Sequence, residues 1–345
     1  MLSLALLTLV LLTAAASTPT TLRQAADERG ILVGTAVRPS LFSEAAYSET
    51  LGREYNLIEA EDVMKWQALR PSEKEFDFRQ GDAVVSFGQM HGMKVRGHCL
   101  VWDHNNPEWL TESHFTPEQL SHLLREHIAM VMKHYAGQVF AWDVVNEAFD
   151  ENGKLKNSVW YNQPGITLTA DESSYVEQAF RWARAADSRA LLFYNENGAE
   201  GLNRKADAVY AMVKDFKRRG VPIDGVGLQM HISQLDFDAA PVAANIARLV
   251  ALGVQVHITE LDVSLPVVGG YATKDDLQRQ GEIYRAVARA CLKNPGCTAI
   301  QTWGFTDKYS WIGSHSHGTR GAALPFDRNY QPKPACEAIL EEIGG

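Results

Sequence analysis

The chain is short of cysteine, of positive charge and of long apolar runs, and each shortage closes off a class of protein. Four cysteines in 345 residues, Cys99, Cys291, Cys297 and Cys336, are too few for a disulfide scaffold and lack the paired spacing of a zinc site. Lys and Arg number 33 against 42 Asp and Glu, a formal charge of -9. A nucleic-acid binder needs a basic footprint to displace counterions from phosphate. The short run Lys217-Arg218-Arg219 lies in a helical pattern and reads as solvated surface, so no nucleic-acid partner is expected. Beyond residue 22 no stretch is long and apolar enough to cross a bilayer, so no membrane partner is expected either. Glycosylation sequons, internal repeats and low-complexity linkers are also missing. His315 and His317 form an H-x-H pair, on its own a weak metal signal. No metal and no cofactor are expected.

What is present begins with an uncharged leader. Residues 1–22 carry no charged side chain, and the apolar run 1–12 is followed by Ala14-Ala15-Ala16-Ser17, a small-residue cleavage pattern. Residues 1–16 therefore read as a signal peptide, residues 17–345 as one catalytic domain, and the protein as secreted and extracellular. In an oxidising compartment Cys291 and Cys297, which flank a Lys-Asn-Pro-Gly turn, are well placed to bridge. Cys99 alternates with His98 and Leu100, so it is expected to point toward a helix layer as a buried thiol.

A 46% hydrophobic, 22% charged composition can bury a large core. Apolar β-type runs fall at 31–37, 56–62, 94–101, 139–147, 190–196, 225–231, 255–263 and 299–305. Helical periodicity occupies 117–135, 172–186, 205–218, 239–252 and 274–292, and Pro332-Lys333-Pro334 opens a last helix. Eight near-continuous apolar strands, each followed by a helix, predict a parallel sheet covered on its outer face and closed as a single-domain (β/α)8 TIM barrel. A doubly wound open sheet is the alternative, but no GxGxxG turn follows any strand. A barrel concentrates chemistry at the carboxyl ends of its strands. Those ends carry Glu61-Asp62, His98 with Trp102, Asn146-Glu147, Asn195-Glu196, Gln229 with His231, Glu260 with Asp262, and Trp303.

Glu147 and Glu260 would face one barrel mouth from strands four and seven. Two carboxylates across a cleft are what acetal cleavage requires, one to protonate the leaving oxygen and one to attack or orient water. In the retaining variant the ionised nucleophile is expected to raise the pKa of its neighbour by like-charge repulsion and keep it protonated. His231 is expected to contact Glu260 and to be oriented by Asp262, two residues further along the same strand face. Trp66, Trp102, Trp303 and Trp311 follow or end strands, where indoles can pack against sugar rings while Lys65, His98, Asn146 and Gln229 meet hydroxyls. Trp160 and Trp182 read as core.

With EDVMKW at 61–66, RGHCLVW at 96–102, WDVVNEA at 142–148, GLQMH at 227–231, ITELD at 258–262 and WGFTDKYSW at 303–311, the chain resembles glycoside hydrolase family 10, the retaining endo-β-1,4-xylanases. The resemblance implies Glu147 as acid/base, Glu260 as nucleophile and Asn146 on the 2-hydroxyl at the cleavage point. Lys65, His98, Trp102, Gln229, His231, Trp303 and Trp311 would shape that subsite, and Glu61 would bind the next sugar. It also implies the Cys291–Cys297 disulfide. Asp62 stands where the family usually has Asn, Asp103-His104-Asn105 replaces its usual His-Ser-Gln or His-Asn-Gln, and Asn195-Glu196-Asn197 replaces Asn-Asp-Tyr. The first two departures fall on the side that would hold the non-reducing sugars. The expected partner is a polysaccharide, xylan or xylo-oligosaccharides, bound by a monomer. A barrel of the same design acting on another β-glucan or glycoside, or a non-catalytic carbohydrate-binding barrel, are the alternatives.

Overall fold

The structure is a computed structural model that describes residues 20–166 and 174–345. The cleavable leader expected at residues 1–16 lies outside the described residues. Eight strands, β1 (Leu32–Val37), β2 (Leu57–Ala60), β3 (Lys94–Val101), β4 (Ala141–Asn146), β5 (Leu191–Glu196), β6 (Gly225–Leu228), β7 (Gln255–Val263) and β8 (Cys297–Thr302), run parallel in chain order, and β8 pairs with both β7 and β1. That pairing closes the sheet into the expected (β/α)8 barrel. The expected helices lie outside it, among them Pro117–His134, Tyr175–Ala186, Arg204–Arg219, Ala240–Val250 and Lys274–Leu292. Pro117 opens the first of these, behind a capping box between Thr116 and Gln119. Pro334 opens the last helix, Pro334–Gly344. Among the described residues no helix is long and apolar enough to cross a membrane.

The inside of the barrel is polar. Arg96 is fully buried; it forks onto Asp143, donates from Nη1 to His257 Nδ1 at 2.9 Å and lies 4.5 Å over the Phe193 ring. Because a guanidinium only donates, His257 Nδ1 must accept and Nε2 must carry the proton given to Thr298 Oγ1 at 3.0 Å. Burial, then the Arg96 charge, hold that imidazole neutral by pushing its pKa well below the usual range. Room for these large groups comes from glycine. A Cβ on Gly225 would sit 2.1 Å from the Phe193 ring, and one on Gly227 would sit 2.1 Å from Asn195 Oδ1.

Irregular register appears on the strands that carry the chemistry. Between β7 and β8 the pairs are Ile258 with Ile300 and Leu261 with Thr302, so β7 spends one residue more than its partner across the Glu260 region. Between β3 and β4 the pairs are His98 with Asp143 and Val101 with Val145, which leaves one extra residue in β3. A bulge of this kind breaks strict alternation and re-aims a side chain. Cys99, on this stretch of β3, is buried with a free thiol, as expected. The sixth strand is also shorter than the expected 225–231. It stops at Leu228; Met230 takes a left-handed φ of 72°, and His231–Ile232 resumes pairing against Asp262 and Val263.

Cys291 and Cys297 form a disulfide at the end of the helix Lys274–Leu292 and the start of β8, while Cys99 and Cys336 are free and buried. Trp160 is core, as expected, and Trp182 packs partly buried against it.

Candidate active site at the carboxyl ends of the strands

Glu147 follows directly on β4, with a left-handed φ of 53° that lifts its side chain out of the sheet's alternation. Its backbone N–H donates to Asn195 O at 2.9 Å. The carboxylate accepts from Gln229 Nε2 at 2.8 Å and from Trp102 Nε1 at 3.1 Å, with Lys156 Nζ 3.8 Å away. Burial pushes this carboxyl up, but the Gln229 bond, the Lys156 charge and the Trp102 bond outweigh it, and the pKa lies below the usual carboxylate range. The expectation that the opposing glutamate keeps Glu147 protonated is therefore corrected for the free protein: two donors and a cation around the group favour its ionised form.

Glu260 lies on the β7 bulge. There Thr259 and Glu260, neighbours in sequence, both reach Asn195: Thr259 Oγ1 donates to Asn195 Oδ1 at 2.7 Å and Asn195 Nδ2 donates to Glu260 Oε1 at 2.8 Å. The other oxygen of Glu260 meets His231 Nε2 at 3.1 Å, and His231 Nδ1 meets Asp262 Oδ2 at 2.9 Å. Trp311 Nε1 donates to the same Asp262 oxygen at 2.9 Å. Burial alone would lower the His231 pKa, but Asp262 and Glu260 raise it well above the usual value, so the ring is an imidazolium donating to both carboxylates. The two glutamates share one amide network. Asn146 Oδ1 accepts from Asn195 at 2.9 Å and from Gln229 at 3.3 Å, and Gln229 continues to Glu147.

Lys65 is buried, bonded to the exposed Asp62 at 2.7 Å, and stands 5.2 Å and 5.5 Å from the ring centroids of Trp102 and Trp303. His98 Nδ1 is bonded to Asp143 Oδ2 at 3.0 Å, and its ring meets that of Trp303 edge-on at 5.3 Å. Trp102, Trp303 and Trp311 are all partly exposed around this group. Trp66 is not part of it: it is buried, stacked at 3.7 Å on His127 and packed on Trp160, because the chain turns into the helix Trp66–Leu69 immediately after Lys65. Glu61 is already occupied, since Arg38 Nε and Nη2 reach its two oxygens at 2.7 Å and 2.5 Å. Anything binding there meets an arginine–carboxylate pair and not a free acid.

Arg38, Lys156 and Asp143 thus belong to the site although sequence reasoning assigned none of them to it, and Asn195, read there only as a polar strand end, gains a role. Asn195 had a signal, an amide ending β5 as Asn146 ends β4. Lys156 and Arg38 lie in loops and had none. Glu196, next to Asn195, is fully buried, and burial raises its pKa to about 7 against the opposing effects of Tyr194, Lys205 and the Phe149 N–H.

One trio among the described residues, Glu59, His98 and Glu260, brings potential ligand atoms within 4.8 Å of one another. It is a poor cation site. Burial and the adjacent Asp143 push the Glu59 carboxyl well up into its neutral form, and Arg96 lies 3.8 Å from it. A cavity of about 680 Å³ lies elsewhere, beside Val267, Tyr271 and Arg320, and is lined by neither Glu147 nor Glu260.

Residues 21–342 match the family model described as glycosyl hydrolase family 10. The chain is 38% identical over 325 residues to endo-1,4-beta-xylanase B of Thermotoga neapolitana, covering 93% of this chain and 90% of that protein. It superposes on xylanase 10B of Thermotoga petrophila, solved in complex with xylobiose, with a TM-score of 0.89 and 38% identity over 95% of this chain and 98% of that one. An intracellular xylanase of Thermoanaerobacterium saccharolyticum, solved with xylotetraose, gives a TM-score of 0.83 at 33% identity, covering 94% and 99%. A family match across nearly the whole barrel, with paired glutamates at the ends of strands four and seven, leads to one conclusion: the chain belongs to glycosyl hydrolase family 10 and is a retaining glycoside hydrolase.

Proposed function

We propose that this protein is an endo-β-1,4-xylanase in which Glu260 is the nucleophile and Glu147 the acid/base. The observation that carries the assignment is the asymmetry of the two glutamates. Glu260 is gripped by His231 and the amide of Asn195, which fixes one of its oxygens for attack on the anomeric carbon. Glu147 is held by Gln229 and Trp102 in a partly open position where it can reach the glycosidic oxygen. Attack by Glu260 forms a glycosyl–carboxylate ester as the glycosidic C–O bond breaks and Glu147 gives its proton to the leaving oxygen. Glu147 then takes a proton from the water that opens the ester, restoring both groups.

Asn146 accepts from two neighbours through Oδ1, which orients its Nδ2 donor toward the 2-hydroxyl. Substrate supplies what the free site lacks: a sugar in the cleft excludes water around Glu147 and shifts it toward the protonated form. The xylobiose and xylotetraose bound by the two structural relatives support xylo-oligosaccharides as the ligands. Labelling with a 2-deoxy-2-fluoro xylobioside followed by peptide mapping tests the assignment. The ester is expected on Glu260, and labelling of any other carboxylate overturns it.

The protein is proposed to be secreted as a monomer after removal of residues 1–16. The disulfide between Cys291 and Cys297 supports an oxidising destination. Amino-terminal sequencing of protein recovered from culture medium, with its elution volume on gel filtration, checks both points.

A further inference from the structure

We propose that Glu196 and Tyr194 are positioning residues for the acid/base: together they clamp the left-handed turn that carries Glu147 onto β5. The inference rests on the reading of Glu147 as the acid.

Three consecutive backbone N–H groups leave the sheet at this turn, and all three are caught by β5. Glu147 N–H donates to the backbone oxygen of Asn195 at 2.9 Å. Ala148 N–H donates to the Tyr194 hydroxyl at 3.0 Å, and Phe149 N–H donates to Glu196 Oε2 at 3.3 Å. The Tyr194 hydroxyl in turn donates to that same Glu196 oxygen. One carboxyl oxygen therefore terminates two of the three restraints, one directly and one through a phenol. Tyr194 and Glu196 are both fully buried, so no water competes for these bonds.

The other oxygen of Glu196 is held as well. It accepts from Asn197 N–H at 3.2 Å and lies 3.5 Å from Lys205 Nζ, which also binds Asn197 O and Glu151 Oε1, each at 2.8 Å. Glu151 belongs to the hairpin that follows the turn, where Phe149 pairs with Leu155 and Lys156 N–H returns to Ala148 O at 2.9 Å. The braced hairpin thus carries Lys156, whose cation faces Glu147. A non-glycine residue at φ 53° persists only when its surroundings over-determine it, and this brace supplies that determination. Neither Tyr194 nor Glu196 is bonded to Glu260, His231 or Asn146 in this network, so releasing them loosens the acid and leaves the nucleophile's own restraints in place.

General acid assistance matters for a poor leaving group and little for an activated one. Glu196→Ala is expected to lower kcat on xylohexaose by about tenfold or more, and to lower turnover of 2,4-dinitrophenyl β-xylobioside by less than about threefold. Tyr194→Phe removes only the hydroxyl and is expected to show the same selectivity at about three- to tenfold on xylohexaose. It decides the question if Glu196→Ala does not fold. Glu147→Ala run in parallel separates the two readings. If it shows no leaving-group preference, the acid assignment fails and the clamp with it. If it does while the clamp variants lose both substrates equally, or lose neither, the clamp alone is overturned.

Discussion

Lys156 offers the sharpest handle on how the free site sets the acidity of Glu147. Its ammonium lies 3.8 Å from Glu147 Oε2 and 3.7 Å from Asp103 Oδ2, with one quarter of its side chain exposed. At that separation two unit charges attract by about 1 kcal/mol in water and about 4 kcal/mol at an effective dielectric of 20. Partial exposure places the pair toward the lower figure, so about 0.7–1.4 kcal/mol, or roughly half to one pKa unit, is a reasonable magnitude. Lys156→Met removes the cation and leaves Asp103 as an uncompensated anion, and both changes raise the Glu147 pKa. The acid then stays protonated to higher pH. The alkaline limb of kcat/KM, which reports the acid of the free enzyme, should move up by about half to one unit. Added salt should shrink the difference between variant and wild type, because a partly exposed pair is screened. An alkaline limb that stays fixed, or moves to lower pH, refutes the electrostatic account.

Other expectations follow from single contacts. Arg38→Ala frees Glu61 of its bidentate partner and should raise KM on xylohexaose about tenfold or more while leaving kcat on a short aryl xyloside within about twofold, since hydrogen bonds to a charged group contribute about 1.5–3 kcal/mol; a fall in kcat on both would place Arg38 nearer the chemistry. Gly227→Ala puts a Cβ against Asn195 Oδ1, so steady-state assays and circular dichroism should find a folded barrel with activity reduced at least about tenfold, a displaced amide weakening its hydrogen bonds to Thr259, Glu260 and Asn146. Replacing Cys291 and Cys297 by Ser opens a bridge with a sequence separation of 6, which should cost about 2 kcal/mol in denaturant titration and lower Tm by a few degrees.

The site was legible where burial and polarity conflict within one short run. An apolar strand ending in Asn146-Glu147, and another ending in Glu260 and Asp262, announce themselves because a carboxylate is not buried without use or a partner. Strand number and order followed from the alternation of apolar and helical patterns. What escaped was what alternation cannot encode. An extra residue in β7 lets Thr259 and Glu260 both face Asn195. Trp66 looked like its fellow tryptophans, but a helical turn directly after Lys65 carries it into the core. Arg38 and Lys156 are loop cations, and nothing local distinguishes such residues from solvated surface until the fold delivers them to Glu61 and Glu147. The acidity of Glu147 was misjudged for a related reason: the opposing charge could be read in the sequence, whereas the two donors and the lysine that outweigh burial come from separate segments.

The extra residue in β7 also bears on which kinds of sequence drift the barrel can survive. Substitution exchanges one side chain for another and leaves the count of residues between Ile258 and Leu261 untouched, so it cannot turn Glu260 away from the cleft. Deletion of Thr259 would remove the spare residue and leave Ile258 and Leu261 opposite Ile300 and Thr302 as before, with Glu260 alone between them. An otherwise intact barrel would then keep its register but lose the hydroxyl that holds the Asn195 amide against Glu260. Residue count along that strand is therefore a constraint on the site that the identity of its side chains does not record.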